Sequence, residues 1–257
     1  MASVDKLRNL KFLQSLEARD NCIADNYFMS ESKQQLKFLT KVDLAGNKLT
    51  KLRQLLCTKL RSLNVDNNEI AECEMVQHSQ LHALSANKNK LTSLKGFTDL
   101  WSLEVLNLAE NQITTLDGIK DCRMLKKLNL QGNQLSEFAV VPDLPSLEEI
   151  NLANCPIAKL EEIGKLITFK KLNSINLTET PISEEKGDDL KKEVLILLDG
   201  LIIKTFNGEE VTEEEITDAK AEKAERIKAA EEARLAAEEE ARLAAEEAAK
   251  AAAEENE

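Results

Sequence analysis

Short triplets in which apolar residues flank a polar one recur along most of this chain: Val42-Asp43-Leu44, Leu63-Asn64-Val65, Leu106-Asn107-Leu108, Leu128-Asn129-Leu130, Ile150-Asn151-Leu152 and Ile175-Asn176-Leu177. Alternation of this kind predicts short strands with one face buried. A leucine stands three residues ahead of the triplet at Leu103, and a polar residue follows it at a fixed distance. That follower is Asn21, Asn47, Asn68, Asn89, Asn111 and Asn133, with Cys155 and Thr180 in its place in the last two copies. The intervals are 26, 21, 21, 22, 22, 22 and 25 residues. Four apolar columns share this beat between the triplets: Leu91, Ile113, Leu135, Ile157; Leu94, Leu116, Phe138, Leu160; Phe97, Ile119, Val141, Ile163; and Leu100, Cys122, Leu144, Leu166. These are the inward positions of a return segment. A period near 22 leaves room there for 3₁₀ turns or brief helices rather than long ones. Gly96 and Gly118 hold matching places and suit a tight corner.

Residues 103–113 read L-x-x-L-x-L-x-x-N-x-I, which resembles the signature of a leucine-rich repeat. The asparagine amide of such a repeat satisfies backbone groups in its own coil and in its neighbour, so stacked copies form a ladder that fixes a solenoid. The predicted fold is therefore α/β: a leucine-rich-repeat solenoid of about eight 22-residue repeats, a carboxyl-terminal cap and a long single α-helix.

The ends depart from the beat as an end must, since a bare terminal coil would leave apolar surface in water. Residues 1–12, with Val4, Leu7 and Leu10, read as an amino-terminal half-repeat and cap. Ser30 or Ser32 could start a short helix in the longer second repeat, with Phe28, Met29 and Leu36 covering the core. The solenoid proper spans 13–182, and 183–208 forms the closing cap, with an amphipathic run from Leu190 to Leu198 and then Leu201-Ile202. After Asn207-Gly208 the composition changes to Ala, Glu, Lys and Arg, so 209–257 is a helical tail.

Thr212 and Glu215 form a capping-box pattern at its start. Acid-first pairs at helical spacing follow at Glu222–Arg226, Glu238–Arg242 and Glu246–Lys250. A helix of some 43 residues would be roughly 65 Å long. Ile216 and Ile227 fall within about 20° of each other round the helix, but Leu235 and Leu243 then drift by about 80° each. With no fixed seam, a single helix, solvated or lying on another protein, is favoured over a coiled coil. The body is expected to fold without the tail, and the chain to be monomeric.

Charge sharpens this division. Of the net charge of −12, the stretch from Glu209 onward carries 18 acidic and 7 basic residues, whereas the part before it carries 28 and 27. A near-neutral body with an acidic tail does not favour nucleic acid. No run approaches the length of a membrane span, and the start lacks the apolar core of a secretion signal, so an intracellular, cytoplasmic protein is expected. Five cysteines without paired spacing agree with a reducing compartment.

Chemistry is sparse. Cys57, Cys73 and Cys122 fall in inward columns and Cys155 in the ladder, leaving Cys22 without a core role. His78 and His82 stand four apart near Cys73, but their columns should not face together, and no second ligand pair exists to make a zinc site. There is no glycine-rich phosphate loop and no nucleophile motif. No catalytic residue, metal, cofactor or small-molecule substrate is expected.

What remains is the outward face of the strands. Its first column reads Glu17, Asp43, Asn64, Ser85, Asn107, Asn129, Asn151, Asn176, and its second Arg19, Ala45, Asp66, Asn87, Ala109, Gln131, Ala153, Thr178. This is a shallow trough of amides and small side chains, acidic at its amino-terminal end. It suits a helical or extended segment of a protein partner as well as it suits plain solubility. Large aromatic anchors are missing, so affinity would rest on polar complementarity.

The 22-residue form, with its G-[FI]-x-x-[LC] corners at Gly96 and Gly118, resembles the SDS22-like subclass of leucine-rich repeats over residues 13–182. The ending, Thr180-Pro181-Ile182-Ser183-Glu184-Glu185, the helical run to Leu198-Asp199 and the charged helix, resembles the leucine-rich-repeat protein of ciliary radial spokes. That resemblance implies a non-enzymatic scaffold of the axonemal cytoskeleton, needed for motility and bound to other proteins of a larger ciliary assembly. The cap also resembles that of acidic nuclear phosphoproteins, whose tails are nearly pure Asp and Glu. A phosphatase regulator of the same subclass would want aromatic and acidic residues on the trough, and a spliceosomal relative lacks such a tail. A phosphatase or nuclear adaptor is thus the alternative function.

Overall fold

The computed structural model describes residue 10 and residues 12–24, 38–53, 57–74 and 79–254. Val4 and Leu7, the 28–36 stretch with Phe28, Met29, Ser30, Ser32 and Leu36, and His78 lie outside the described residues. The chain divides into two compact units, residues 1–211 and 212–257.

In the first unit each alternating triplet is a three-residue strand: β1 (Ser15–Glu17), β2 (Lys41–Asp43), β4 (Ser62–Asn64), β6 (Ala83–Ser85), β7 (Val105–Asn107), β8 (Lys127–Asn129), β9 (Glu149–Asn151) and β10 (Ser174–Asn176). They lie side by side, all parallel, in chain order. Parallel neighbours need a return crossing between them, which the segments after each ladder residue supply. The register is uniform. Leu16, Val42, Leu63, Leu84, Leu106, Leu128, Ile150 and Ile175 face one another in sequence, and all are buried. A slip of one residue would turn that whole column outward, so burial itself fixes the register.

The return segments vary more than their common spacing implies. Of the four apolar columns, every member is buried except Val141 and Leu160, which are half-buried. After Asn47 and Asn68 the described part of the return is extended: β3 (Lys51–Arg53) pairs with β5 (Glu72–Glu74) in a second small parallel sheet. Here Lys-Leu-Arg and Cys73 between two glutamates keep strand alternation, Leu52 and Cys73 are buried, and Lys51 Nζ meets Glu72 Oε2 at 2.6 Å. A short helix, α1 (Leu160–Gly164), running into a 3₁₀ turn at Lys165–Thr168, forms in the 25-residue interval, where the chain has length to spare.

The glycine corners explain one irregularity. Gly96 and Gly118 have φ of 96° and 104°, and a Cβ on Gly118 would lie 2.7 Å from the Lys95 nitrogen. The matching place one repeat later holds Val140. A β-branched residue does not adopt that conformation, so the corner changes course and leaves Val140 52% exposed. Gly118→Ala should destabilise the body by about 1–3 kcal/mol through backbone strain alone. The denaturant midpoint measures it.

The carboxyl-terminal end is closed by α2 (Pro181–Lys186), α3 (Asp189–Leu197) and a hairpin of β11 (Thr205–Phe206) and β12 (Glu209–Glu210). β11 adds to β10 in parallel and β12 runs back against it. Asn207 and Gly208, with φ of 52° and 85°, make the two-residue turn, as positive φ at both positions requires. Leu190, Val194, Ile196, Leu198, Ile203 and Phe206 are buried in this cap, while Ile202 is 73% exposed. At the other end Leu10 is 49% exposed, so it does not serve as a core residue of a cap.

The second unit is α4 (Glu213–Glu254), 42 residues and so about 63 Å long. Its start is a reciprocal capping box: Thr212 N–H donates to Glu215 Oε2 at 2.8 Å, and Glu215 N–H donates to Thr212 Oγ1 at 3.2 Å. Arg226 Nε donates to Glu222 at 3.1 Å. Glu238 is drawn back to Arg234 at 3.6 Å rather than forward to Arg242. Ile227 and Leu235 are 52% and 58% exposed. The side chains of Leu243, Glu246 and Lys250 lie outside the described residues.

Candidate partner-binding face

The ladder holds the trough in shape, so its bonds come first. In Asn47, Asn68, Asn89, Asn111 and Asn133 the amide does the same three things. Oδ1 accepts the N–H of the residue two past the previous ladder position: Ile23, Leu49, Ile70, Leu91 and Ile113, at 2.9–3.1 Å. Nδ2 donates to the carbonyl three residues before itself and to the equivalent carbonyl one repeat earlier. For Asn111 these are Leu108 at 3.0 Å and Ala86 at 3.0 Å. Each of the five is buried, and each stitches two coils at points where no water could reach.

The ends of the ladder differ. Asn21 is half-buried and donates to its own Arg19 carbonyl at 2.7 Å. Cys155 keeps one rung, its thiol donating to the Leu130 carbonyl at 3.3 Å. Thr180 leaves the ladder: its hydroxyl donates to Leu177 O at 2.7 Å and accepts from Ser183 N–H, and Ser183 Oγ bonds Thr180 N–H in return, a capping box on α2. The replacement of Asn by Thr is thus where the solenoid turns into its cap. Asn207 supplies the last amide, accepting Leu177 N–H at 2.7 Å. Sequence reasoning passed over that residue, although Asn-Gly between short strands is itself a hairpin signal.

Outside the ladder lies the trough. Strand register places Glu17, Asp43, Asn64, Ser85, Asn107, Asn129, Asn151 and Asn176 in one column. Its amino-terminal acids are spent within the protein. Asp43, 8% exposed, takes Arg19 Nε at 3.0 Å, Ala45 N–H at 3.1 Å and Asn64 Nδ2 at 3.4 Å. Lys41 meets Glu17 at 3.1 Å. Asp66 accepts Ser85 Oγ at 2.7 Å, Asn87 N–H at 2.7 Å and Asn87 Nδ2 at 3.4 Å, and Asn87 Oδ1 accepts Ala109 N–H at 2.7 Å. The carboxyl-terminal half is neutral. Asn129, Asn151 and Asn176 are half-buried, Gln131 is exposed, and Ala109 and Ala153 lie flat and buried between them.

Elsewhere the surface is tied by ion pairs between adjacent repeats: Lys90–Glu69 at 2.8 Å, Lys126–Glu104 at 2.9 Å, Lys127–Glu149 at 2.7 Å and Lys159–Glu137 at 3.0 Å. The hydrogen bonds from Lys90 and Lys126 hold the Glu69 and Glu104 carboxyls below their usual value of 4.5. At Glu162 burial works the other way, but the bond from Lys165 and the Phe138 N–H outweigh it, and that carboxyl is lowered too. Groups depressed in the folded state contribute stability above 4.5 and lose it as pH falls through their folded values. The melting temperature should therefore drop on acidification below about pH 4.5, and replacing Glu69, Glu104 and Glu162 with Gln should flatten that drop.

Cys57, Cys73, Cys122 and Cys155 are buried and Cys22 is exposed. Burial pushes the Cys57 and Cys122 thiols up to about 11, far from the thiolate that nucleophilic or metal chemistry needs. His82 is exposed, with Nδ1 2.6 Å from the Gln80 carbonyl. Among the described residues no cluster of three His, Cys, Asp or Glu side chains could hold a metal, and no helix is long and apolar enough to cross a membrane. Trp101, 45% exposed under the Arg123 guanidinium, and Met124, 46% exposed, lie ahead of their strands and off the trough.

Comparison with known proteins agrees with this geometry. Residues 79–135 match the family model described as leucine-rich repeat, and residues 123–165 the model of leucine-rich repeats in two copies. An uncharacterised leucine-rich repeat-containing protein of Schizosaccharomyces pombe is 35% identical over 104 residues, 38% of this chain but 16% of the relative's length. Among solved structures, an internalin (inlF) of Listeria monocytogenes matches 82% of this chain and 65% of its own with a TM-score of 0.56 and 20% identity. Internalin C2 of the same bacterium matches 80% and 76% with a TM-score of 0.51 and 20% identity. The body of this chain is a leucine-rich-repeat solenoid, a fold that typically serves as a protein–protein interaction scaffold.

Proposed function

We propose that this chain is a non-enzymatic scaffold of the ciliary axoneme, a radial-spoke component needed for motility, which holds segments of neighbouring proteins on its concave face. The observation that carries the scaffold reading is the in-register column from Glu17 to Asn176 on a sheet whose other face is wholly buried. Such a face presents many small polar contacts over a long rigid surface, which favours segments of other proteins over a small molecule. The ciliary assignment is supported by the resemblance of the repeats to the SDS22-like subclass, the 180–185 ending with its capped helix, and the long charged α4.

Separating ciliated cells into axonemes and nuclei and probing each for the chain tests the placement. Enrichment in axonemes, with impaired beating when the chain is deleted, is the expected result. Absence from axonemes together with recovery in nuclear or phosphatase-containing complexes would replace this reading with that of an adaptor.

A further inference from the structure

We propose that the carboxyl-terminal half of the trough is a row of hydrogen-bond donors that takes the acidic stripe of a partner protein's α-helix. This rests on the reading of the concave face as the partner site. Asn107, Asn129, Asn151 and Asn176 are register partners on β7, β8, β9 and β10. In the last three, Oδ1 accepts the backbone N–H two residues on, at 3.1, 3.0 and 3.0 Å. A backbone N–H can only donate, so the chain itself dictates which end of each amide faces it. Nδ2 is the end left toward the groove. Among the described residues no acceptor meets Nδ2 of Asn129 or Asn176, and that of Asn151 has only a long 3.4 Å contact with Gln131 Oε1. In the amino-terminal half the column differs: Asn64 Nδ2 has a carboxylate oxygen of Asp43 at 3.4 Å, and the next position is Ser85, whose hydroxyl donates to Asp66 at 2.7 Å. The row of amides that face no carboxylate among the described residues therefore lies in the carboxyl-terminal half.

Spacing selects the partner. Adjacent strands lie about 4.8 Å apart, so the four asparagines of the column, the last three with their donor ends fixed, span about 14 Å. Glutamates at i, i+4, i+7 and i+11 of an α-helix span about 16.5 Å, whereas four same-face residues of an extended strand span about 20 Å. Side-chain reach absorbs the first mismatch and not the second. Carboxylates are the matching acceptors, because a charged acceptor strengthens each bond about twofold and Oδ1 of Asn129, Asn151 and Asn176 is turned to its own backbone N–H.

The test is a display library of alanine-based helical peptides, randomised at i, i+4, i+7 and i+11 and selected on the full chain. Glutamate and aspartate should be enriched at those positions. The variant Asn129→Asp/Asn151→Asp keeps each Oδ1 anchor, as Asp43 does with Ala45 N–H, but turns the donor into an acceptor. It should melt like the parent, bind a selected acidic peptide roughly tenfold more weakly or worse, and select lysine or arginine instead. Peptides that bind the trough, judged by loss with Asn129→Arg, yet show no acid preference would overturn the acidic-helix proposal and leave the concave site standing. Selected peptides indifferent to every trough substitution would overturn both.

Discussion

Asn111→Leu lowers the stability of the body by about 3 kcal/mol, a fall of roughly 6–12 °C for a unit of this size, while Asn107→Leu stays within about 0.5 kcal/mol of the parent. The two asparagines are four residues apart, and leucine removes an amide from each. The difference lies in what is left behind. Removing the Asn111 amide orphans Leu91 N–H and takes a donor from the Leu108 and Ala86 carbonyls, all in a dry interior. A buried group without its partner costs about 1–3 kcal/mol. Asn107 is half-exposed on β7, and water replaces whatever its side chain gives up. Thermal melts of the two variants decide it: equal losses, or a larger loss at Asn107, would mean that the ladder does not carry the stacking.

The same contrast shows how far the fold was legible in the sequence. Ladder, strand column and return columns each repeat at a fixed interval, and a buried position that recurs once per coil must be apolar or self-satisfied. Periodicity therefore exposed them without any long-range information. What escaped were features that occur once. The β3–β5 pairing depends on two adjacent repeats both keeping strand alternation after the ladder residue, a local pattern hidden beneath the longer beat. Val140 broke the corner because a single side chain cannot take a glycine's backbone angle. By position Thr180 stands in the place of a ladder asparagine, and only the geometry of α2 shows its hydroxyl working as a helix cap. On the trough, the sequence supplied the columns but not the pairing among them. The acidic amino-terminal end of the composition is, in space, a set of carboxylates already bonded to Arg19, Lys41, Ser85 and Asn87. The neutral half, which composition made the less conspicuous of the two, keeps amide donors that no carboxylate among the described residues meets.

On the axonemal role proposed above, removing residues 230–257 is expected to leave the melt and the monomeric state of the remaining chain unchanged, but to reduce its incorporation into axonemes sharply. From Ala224 through Arg242 every side chain of α4 is exposed, so the described part of the deleted stretch, residues 230–242, buries no side chain. Its own stability comes from alanine's helix propensity, the capping box at Thr212 and Glu215, and spaced ion pairs worth about 0.2–0.5 kcal/mol each. None of these draws two copies together, because the apolar residues Ile227 and Leu235 sit about 80° apart round the helix and form no seam. A long charged helix whose few exposed apolar residues form no seam suits a strut laid along a larger assembly. Light scattering and melting of the full and shortened chains check the first half, and a shift in either would show that the distal helix packs or pairs. For the second half, the shortened chain is expressed in ciliated cells that lack the full one. Normal axonemal levels with normal beating would leave the strut without a role, and would place the whole of partner recognition on the concave face.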